Sequence, residues 1–195
     1  MDKQKIISFF DRLSSNWDEQ LETDGNKINT ILDRAGVKKG ASVLDVACGT
    51  GVLFPFYLER GVKRITGVDI SPKMVSLAKS KFASFPETDV INADAEAYSF
   101  DKDYDCCMVF NAFPHFCNPK GLILNLKSAL KQGGTLTVAH DRGRKALDSH
   151  HKSEAAEVSQ GLMSETELAA LFEECGFKNV FTKATDEIYI VTGTK

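Results

Sequence analysis

One short stretch constrains the fold of this chain more than any other, the sequence Val-Leu-Asp-Val-Ala-Cys-Gly-Thr-Gly at residues 43–51. Its apolar beginning predicts a buried strand, its small residues predict a turn, and residues 52–58 predict the start of a helix. A strand, a glycine turn and a helix form half of a nucleotide-binding unit. Gly49 and Gly51 would let a ligand approach the backbone or would adopt a positive φ, and a tight turn without a ligand is the alternative.

Asp45, directly before this turn, indicates what kind of ligand the turn would hold. The N-terminus of the following helix offers N–H groups and a partial positive charge, which suit a pyrophosphate. A pyrophosphate gains nothing from a carboxylate beside it, because like charges repel. A ligand that carries an ammonium and a sulfonium group would be attracted, and S-adenosylmethionine carries both.

The same stretch resembles the first motif of the class I S-adenosylmethionine-dependent methyltransferases, an acid followed by Gly-x-Gly-x-Gly. Ala47 stands where the first of those glycines would be, a position at which small residues are often accepted. The resemblance implies that S-adenosylmethionine is the cofactor and that Asp45, Ala47, Gly49 and Gly51 bind it. Glycine turns of this kind also serve nicotinamide and flavin enzymes, so a nicotinamide-dependent oxidoreductase is an alternative.

A second apolar run predicts a strand that ends in Asp69. Asp69 lies 18 residues after Gly51, close to the separation of about 20 that is typical of a ribose-binding acid. A carboxylate can accept hydrogen bonds from both ribose hydroxyls, and a solvated turn acid is the alternative. Residues 67–74 resemble the second methyltransferase motif, which implies that Ile70 and Met74 also lie beside the cofactor.

Two further strands are predicted to bring side chains to the same edge of the sheet. Residues 90–94 predict a strand that ends in Asp94, and residues 104–110 predict a strand that leads to Asn111. In the family, an acid at the first of these positions hydrogen-bonds the exocyclic amine of adenine beside a small residue. The resemblance therefore implies that Asp94, Ala95 and Asn111 contact the cofactor.

Residues 131–139 resemble the last core motif, in which a helix end and a Gly-Gly turn precede the fifth strand. With this motif the resemblance covers residues 41–140, and it is greatest for the small-molecule branch often called methyltransferase type 11. It implies an α/β fold, a Rossmann-like three-layer αβα sandwich around a doubly wound seven-stranded sheet. The implied strand order is 3-2-1-4-5-7-6, with the last strand antiparallel.

At 195 residues, the chain is expected to form a single methyltransferase domain. We expect an N-terminal helical lid at 1–40 and a cofactor-binding core at 41–140. An acceptor-side lid should follow at 141–163, and a closing helix and hairpin at 164–195.

The two ends of the chain carry clear helix signals. Helices are predicted near 3–13 and 25–36, with Trp17 in a turn. Apolar residues of the first helix are more often core contacts than ligand contacts, whereas the resemblance implies that this segment folds over the cofactor. Near the other end, the Ser-x-x-Glu capping box at 164–167 predicts a helix at 165–175, followed by a hairpin.

Composition narrows the expected location and partners. The 24 basic and 27 acidic residues leave a net charge of −3, which gives no general attraction to nucleic acid. The sequence has neither a run of 18 apolar residues nor an opening typical of a signal peptide, so we expect a cytoplasmic protein without a membrane partner. Five cysteines without a Cys-x-x-Cys pair suit reduced thiols rather than a thiolate zinc site.

Candidate acceptor-side residues follow the fourth and fifth strands. His115 follows the fourth, and His140, Arg144 and His151 follow the fifth. Ligands bind at this edge of open α/β sheets, and a histidine can take a proton as a methyl group arrives. We predict that these four residues act on the acceptor. The alternatives are a charged surface helix with chance histidines and a metal site that includes His150, and we assign no metal ligands.

The predicted reaction is in-line transfer of a methyl group to a small molecule, and Arg144 would suit an anionic acceptor. Positioning alone can supply about 7–11 kcal/mol of the acceleration. The alternatives are a nucleic-acid or protein methyltransferase, the oxidoreductase, and a protein that binds the cofactor without catalysis. Residues 111–114 read Asn-Ala-Phe-Pro, which differs from the Asn-Pro-Pro-Tyr type that orients a planar amide or base amine.

Overall fold

The computed structural model describes residues 1–20, 23–100, 103–143 and 157–195. Seven strands form one sheet in the order β3-β2-β1-β4-β5-β7-β6, which confirms the predicted order. β7 runs antiparallel to its neighbours β5 and β6, also as predicted. The strands are β1 Ser42–Val46, β2 Arg64–Asp69, β3 Thr88–Asn92, β4 Tyr104–Phe110, β5 Leu130–His140, β6 Lys178–Ala184 and β7 Tyr189–Thr194.

The central strands are parallel and in register, so their carboxyl ends meet at one edge. β1 pairs with β2 on one side and with β4 on the other, and Val46 lies opposite both Val68 and Val109. The strand order reverses beside β1, because β2 and β4 leave it in opposite directions. In open α/β sheets a crevice forms at such a switch point, outside the carboxyl ends of the strands.

Most helices begin at a side-chain cap that the sequence supplies. Asp24 accepts hydrogen bonds from the N–H groups of Asn26 and Lys27, and Ser71 caps the helix that Pro72 begins. The predicted capping box at 164–167 is present. The α-helices are α1 Lys3–Leu13, α2 Trp17–Gln20, α3 Gly25–Arg34, α4 Phe54–Glu59, α5 Pro72–Lys81, α6 Pro119–Ala129 and α7 Glu165–Glu174.

Three local predictions were wrong. Trp17 does not lie in a turn, because a 3-10 helix at Ser14–Asn16 leads directly from α1 into α2, which Trp17 begins. The third strand ends at Asn92 and stops short of Asp94. The Gly-Gly turn lies inside β5, where Gly133 has a φ of +80° and the pairing with β4 is irregular. A glycine with positive φ lets a strand bulge and continue.

The sheet separates two cores. One face packs against α3, α4 and α5, with Ile31, Phe54 and Ala78 fully buried. The other packs against α6 and α7. α1 belongs to neither core, since its single buried residue Ile6 packs in a small separate cluster with Val158. The predicted lid at 1–40 thus contains one core helix, α3, and one peripheral helix, α1.

No helix in the described ranges is long and apolar enough to cross a membrane.

Candidate functional site

A cavity of about 300 Å³ lies at the carboxyl ends of β1, β2 and β4 and beneath α1. Its position is the switch point of the sheet, where the glycine turn and the predicted cofactor residues meet. Its size is at the lower end of the usual range for ligand sites, about 300–1,000 Å³. Of the predicted cofactor residues, the cavity is lined by Asp45, Ala47, Gly49, Asp69, Ile70, Met74, Ala95 and Asn111.

Asp45 is a buried carboxylate at the floor of this cavity, with 2% of its surface exposed. Its Oδ2 atom has no hydrogen-bond partner among the described residues. Burial raises the pKa of Asp45 well above its usual range, and the nearby Asp69 carboxylate raises it further. A buried charge without a partner is costly, so this oxygen suits a ligand that brings positive charge.

The two glycines of the turn differ in what a side chain at each position would contact. Gly49 lines the cavity with a φ of +55°, and a Cβ there would lie 3.9 Å from Nε1 of Trp17. Gly51 lies outside the lining, and a Cβ there would approach the ring of Phe82 to 2.6 Å. Gly49 therefore leaves space for a ligand, whereas Gly51 allows the helix after the turn to pack closely. Ala47 adopts a φ of +55°, which is strained for a residue with a Cβ.

Asp69 ends β2, is buried and holds the turn in place with its side chain. Its Oδ2 accepts from the N–H of Gly49 at 2.9 Å, and its Oδ1 accepts from the N–H of Ser71 at 2.8 Å. Burial raises the pKa of Asp69, while these N–H groups lower it. Each carboxylate oxygen has a further lone pair, so the side chain can still accept hydrogen bonds from ligand hydroxyls.

Asp94 and Ala95, although consecutive in the chain, differ in their relation to the cavity. Ala95 belongs to the lining, and Asp94 lies outside it. The Asp94 carboxylate pairs with Lys3 at 2.5 Å and accepts from the N–H of Glu96 at 3.0 Å. Its contact with adenine stays a prediction.

Asn111 joins the ends of β4 and β5. It has a φ of +54°, a conformation that asparagine tolerates better than most residues. Its Nδ2 donates to Oδ1 of Asp141 at 3.0 Å, and its Oδ1 accepts from the N–H of Asp141 at 3.2 Å. The paired side chains hold the loops after both strands at the cavity.

His115 also lines the cavity, at the end of a short 3-10 helix after β4. Its Nδ1 lies 2.7 Å from the carbonyl oxygen of Val158. A carbonyl oxygen can only accept, so Nδ1 carries the proton and Nε2 of the neutral ring carries the lone pair. The ring of Phe10 contacts the His115 ring edge-on, with centroids 5.1 Å apart.

The other predicted acceptor residues are not brought to the cavity by the described part of the chain. His140 is the last residue of β5 and only 1% exposed. Its ring packs edge-on against Tyr189 with centroids 5.9 Å apart, and it does not line the cavity. Arg144, His150 and His151 lie outside the described residues. Where the structure describes the chain, no group of three or more His, Cys, Asp or Glu side chains could hold a metal ion.

The roof of the cavity consists of residues that were not assigned individually from the sequence, although the resemblance implied that their segment folds over the cofactor. Ile6, Phe9 and Phe10 of α1 face the cavity, together with Trp17. Nε1 of Trp17 is buried and has no hydrogen-bond partner among the described residues, so this N–H is available to a ligand. The aromatic stripe of α1 was a signal, but periodicity alone does not distinguish a core face from a cavity face.

Three charged side chains of the N-terminal segment tie this roof to the predicted cofactor loops. Lys3 pairs with the acid that follows β3, as described above. Asp11 accepts from the hydroxyl of Ser71 at 2.5 Å, directly after β2. Asp18 accepts from the hydroxyl of Thr50 at 2.6 Å, within the glycine turn. Each tether thus reaches a different cofactor motif.

Several curated proteins are similar to this chain in sequence. A malonyl-[acyl-carrier protein] O-methyltransferase of Acetivibrio thermocellus is 30% identical over 139 residues, which are 70% of this chain and 49% of that protein. A demethylmenaquinone methyltransferase of Tropheryma whipplei is 28% identical over 170 residues, covering 76% of this chain and 71% of that protein. The chain spans about half the length of the first curated relatives that it matches.

Solved structures share the fold over the whole chain. A magnesium protoporphyrin IX methyltransferase from Synechocystis PCC 6803 with bound S-adenosylhomocysteine has a TM-score of 0.75 at 17% identity and covers 100% of both chains. An S-adenosylmethionine-dependent methyltransferase from Aquifex aeolicus has a TM-score of 0.70 at 19% identity, with 100% and 98% covered. Residues 43–134 match the family described as a methyltransferase domain. The chain belongs to the class I S-adenosylmethionine-dependent methyltransferases.

Proposed function

We propose that this chain transfers a methyl group from S-adenosylmethionine to a small-molecule acceptor. The observation that carries the proposal is the buried Asp45 oxygen without a partner, in the same cavity as Asp69. One carboxylate suits a positively charged ligand, and the other keeps lone pairs for hydroxyls. S-adenosylmethionine offers positive charge and two ribose hydroxyls in one molecule.

Each part of this cofactor has residues that could hold it. Asp69 would accept from the ribose hydroxyls, and Asp45 would compensate the positive charge of the methionine part. Ile70, Met74 and Ala95 provide an apolar surface for a flat ring. The backbone at Gly49 leaves room for close approach.

The cofactor, when bound, supplies an electrophilic methyl group on a sulfonium. An acceptor lone pair forms the new bond to that carbon, while the electron pair of the carbon–sulfur bond returns to sulfur. The protein has to align the acceptor and exclude water, because charge is consumed in the transition state. α1 covers the cavity with Ile6, Phe9 and Phe10, and three side-chain tethers hold that cover in place.

His115 would take the proton of an acceptor that loses one. Its Nδ1–H is fixed by the carbonyl of Val158, so the lone pair is on Nε2. A neutral histidine is a suitable base near neutral pH. Of the two predicted acceptor residues that the structure describes, His115 lines the cavity and His140 does not, so we propose this role for His115 and not for His140.

Two observations support a small molecule rather than a macromolecule as the acceptor. The cavity is covered by α1, and its volume of about 300 Å³ leaves limited room beyond the cofactor. The net charge of −3 offers no general attraction to nucleic acid. The relatives above are named for a malonyl-[acyl-carrier protein], a demethylmenaquinone and a magnesium protoporphyrin IX.

Calorimetry with S-adenosylhomocysteine tests the cofactor half of this proposal. Asp69→Ala should weaken binding at least tenfold, because charge-assisted hydrogen bonds to a ribose are worth about 2–4 kcal/mol together. The matched control is Asp89→Ala, an exposed carboxylate on the neighbouring strand, which should bind as the wild type does. Equal affinity in Asp69→Ala and Asp89→Ala would contradict the assignment. A screen for acceptor-dependent cofactor consumption then tests the activity.

A further inference from the structure

We propose that the acceptor is an apolar, preferably aromatic, anion whose negative group pairs with Arg142. This inference rests on the proposed methyl transfer and adds the chemical class of the acceptor. It concerns a different residue from the earlier prediction for Arg144. Arg142 lies in the loop after β5, directly after Asp141, and belongs to the described residues. The inference combines the position of Arg142, the charges around it and the aromatic roof.

Arg142 both lines the cavity and is exposed, so it lies at the rim where the cavity meets solvent. Among the described residues of the lining, two side chains are cationic, Lys3 and Arg142. Lys3 is already engaged, with Asp94 at 2.5 Å and Glu96 at 2.7 Å. Arg142 has no carboxylate within ion-pair distance in the ranges that the structure describes. Of the two described lining cations, Arg142 is therefore the one whose charge can serve an incoming anion.

The backbone beneath Arg142 is held in place although the side chain is exposed. The neighbouring Asp141 forms two hydrogen bonds with Asn111, and its carbonyl oxygen accepts from Nζ of Lys27 at 3.5 Å. The Asp141 carboxylate is thus directed to Asn111 rather than to the guanidinium. The guanidinium of an arginine can hold a carboxylate or phosphate through two parallel hydrogen bonds.

Apart from Lys3 and Arg142, the charged side chains of the described lining are acidic, so an anionic acceptor needs a cation at the rim of the cavity. Asp45, Asp69 and Asp141 belong to the lining and would repel a negative group of the acceptor inside the cavity. An acceptor anion is therefore best held outside the cavity, at Arg142. The part that receives the methyl group would enter beneath α1, on the side of His115.

The walls on that side are aromatic. Phe9 and Phe10 of the roof and Phe116, directly after His115, line the cavity and are half-buried. Phe9 and Phe10 are packed edge to face, with centroids 5.3 Å apart. Half-buried aromatic rings provide apolar contact area for a flat or apolar part of a ligand. An apolar body with one anionic end matches both the rings and Arg142.

Matched pairs of acids and amides test the charge requirement. Binding of benzoate, 1-naphthoate and octanoate, and of the corresponding amides, is measured by calorimetry in the presence of saturating S-adenosylhomocysteine. We expect at least one acid to bind about tenfold more tightly than its amide. Arg142→Gln should abolish this difference by weakening the acid alone. Lys79→Gln, which removes an exposed cation of α5 outside the cavity lining, should preserve it.

Two results would overturn the inference while the proposed function stands. One is that no acid of the panel binds more tightly than its amide to the wild-type protein. The other is that Arg142→Gln weakens S-adenosylhomocysteine itself, measured separately, since Arg142 would then serve the cofactor. Failure of the proposed function would be recognised differently, because the wild-type protein would then not bind S-adenosylhomocysteine at all.

Discussion

The cofactor half and the acceptor half of the cavity are built in different ways. Residues of the cofactor half lie at the ends of adjacent parallel strands, and Asp69 fixes the loops after β1 and β2 through backbone N–H groups. The acceptor half consists of side chains from α1 and from the loops after β4 and β5. Its roof is held by single side-chain contacts, such as that between Asp18 and Thr50. The first half is thus held by the sheet and by backbone hydrogen bonds, and the second by a few side-chain contacts.

This difference suggests how one fold serves many acceptors. A change in α1 alters the roof without disturbing the sheet, because α1 shares neither of the two main cores. A change at the strand ends disturbs the cofactor loops directly. If the two halves are separable in this sense, substitutions in one should leave the other intact.

The largest difference between the effects on the acceptor half and on the cofactor half is expected for His115→Gln. Loss of the base should lower turnover of a proton-bearing acceptor by about 10²–10⁴-fold, while affinity for S-adenosylhomocysteine stays near that of the wild type. Steady-state kinetics and calorimetry on the same preparation measure both quantities. His140→Gln is the matched histidine control, since it lies outside the cavity lining. The role of His115 as the base would be contradicted if His140→Gln lowered turnover and His115→Gln did not. This comparison requires that His140→Gln leaves the melting temperature unchanged.

A smaller effect, confined to the cofactor half, is expected for Asp45→Asn. Affinity for S-adenosylmethionine should fall about tenfold or more, because a hydrogen bond to a charged group contributes about 1.5–3 kcal/mol. The ligand-free protein should become more stable at neutral pH, since the substitution removes a buried carboxylate whose Oδ2 lacks a partner among the described residues.

The sign of the pH dependence follows from the raised pKa of Asp45. A carboxyl group whose pKa is higher in the folded state binds more protons when folded, so its contribution to stability is present below the unfolded value of about 3.9. That contribution is lost as the pH rises towards the folded-state pKa. The melting-temperature advantage of Asp45→Asn should therefore grow from pH 4 to pH 8, and Asp89→Asn should show no such trend. A variant less stable than the wild type at every pH would contradict this account.

The smallest effect is expected for Ala47→Gly. A left-handed conformation costs a residue with a Cβ roughly 1–2 kcal/mol, and part of this gain is offset by the greater freedom of glycine in the unfolded chain. We expect the free energy of unfolding to rise by about 0.5–1 kcal/mol in denaturant titrations, with cofactor affinity retained. Ala112→Gly is the control, because Ala112 has a φ of −131° and should be destabilised by the same change. Loss of stability in both variants would show that Ala47 is not strained.

Sequence reasoning located the cofactor half because its residues are close together in the chain. A strand end, a turn and a helix start are local structures, so Asp45, Gly49 and Asp69 could be assigned from spacing. The same locality limits what spacing can tell. Gly51 matches the motif and has a φ of +84°, yet a Cβ there would also meet the ring of Phe82, 31 residues away in sequence. Spacing does not distinguish a glycine that faces a ligand from one that faces another helix.

The sequence by itself determined the position of the glycine turn and the kind of ligand that suits Asp45, and its resemblance to the methyltransferase motifs implied the strand order. The turn could be located because a strand end, a turn and a helix start are local structures. Only the tertiary structure decided that Arg142 lies at the cavity rim, that His115 lines the cavity and that His140 does not. It also decided that α1 covers the site rather than the core. Such choices depend on contacts between residues far apart in the chain, for which one sequence carries no periodic signal.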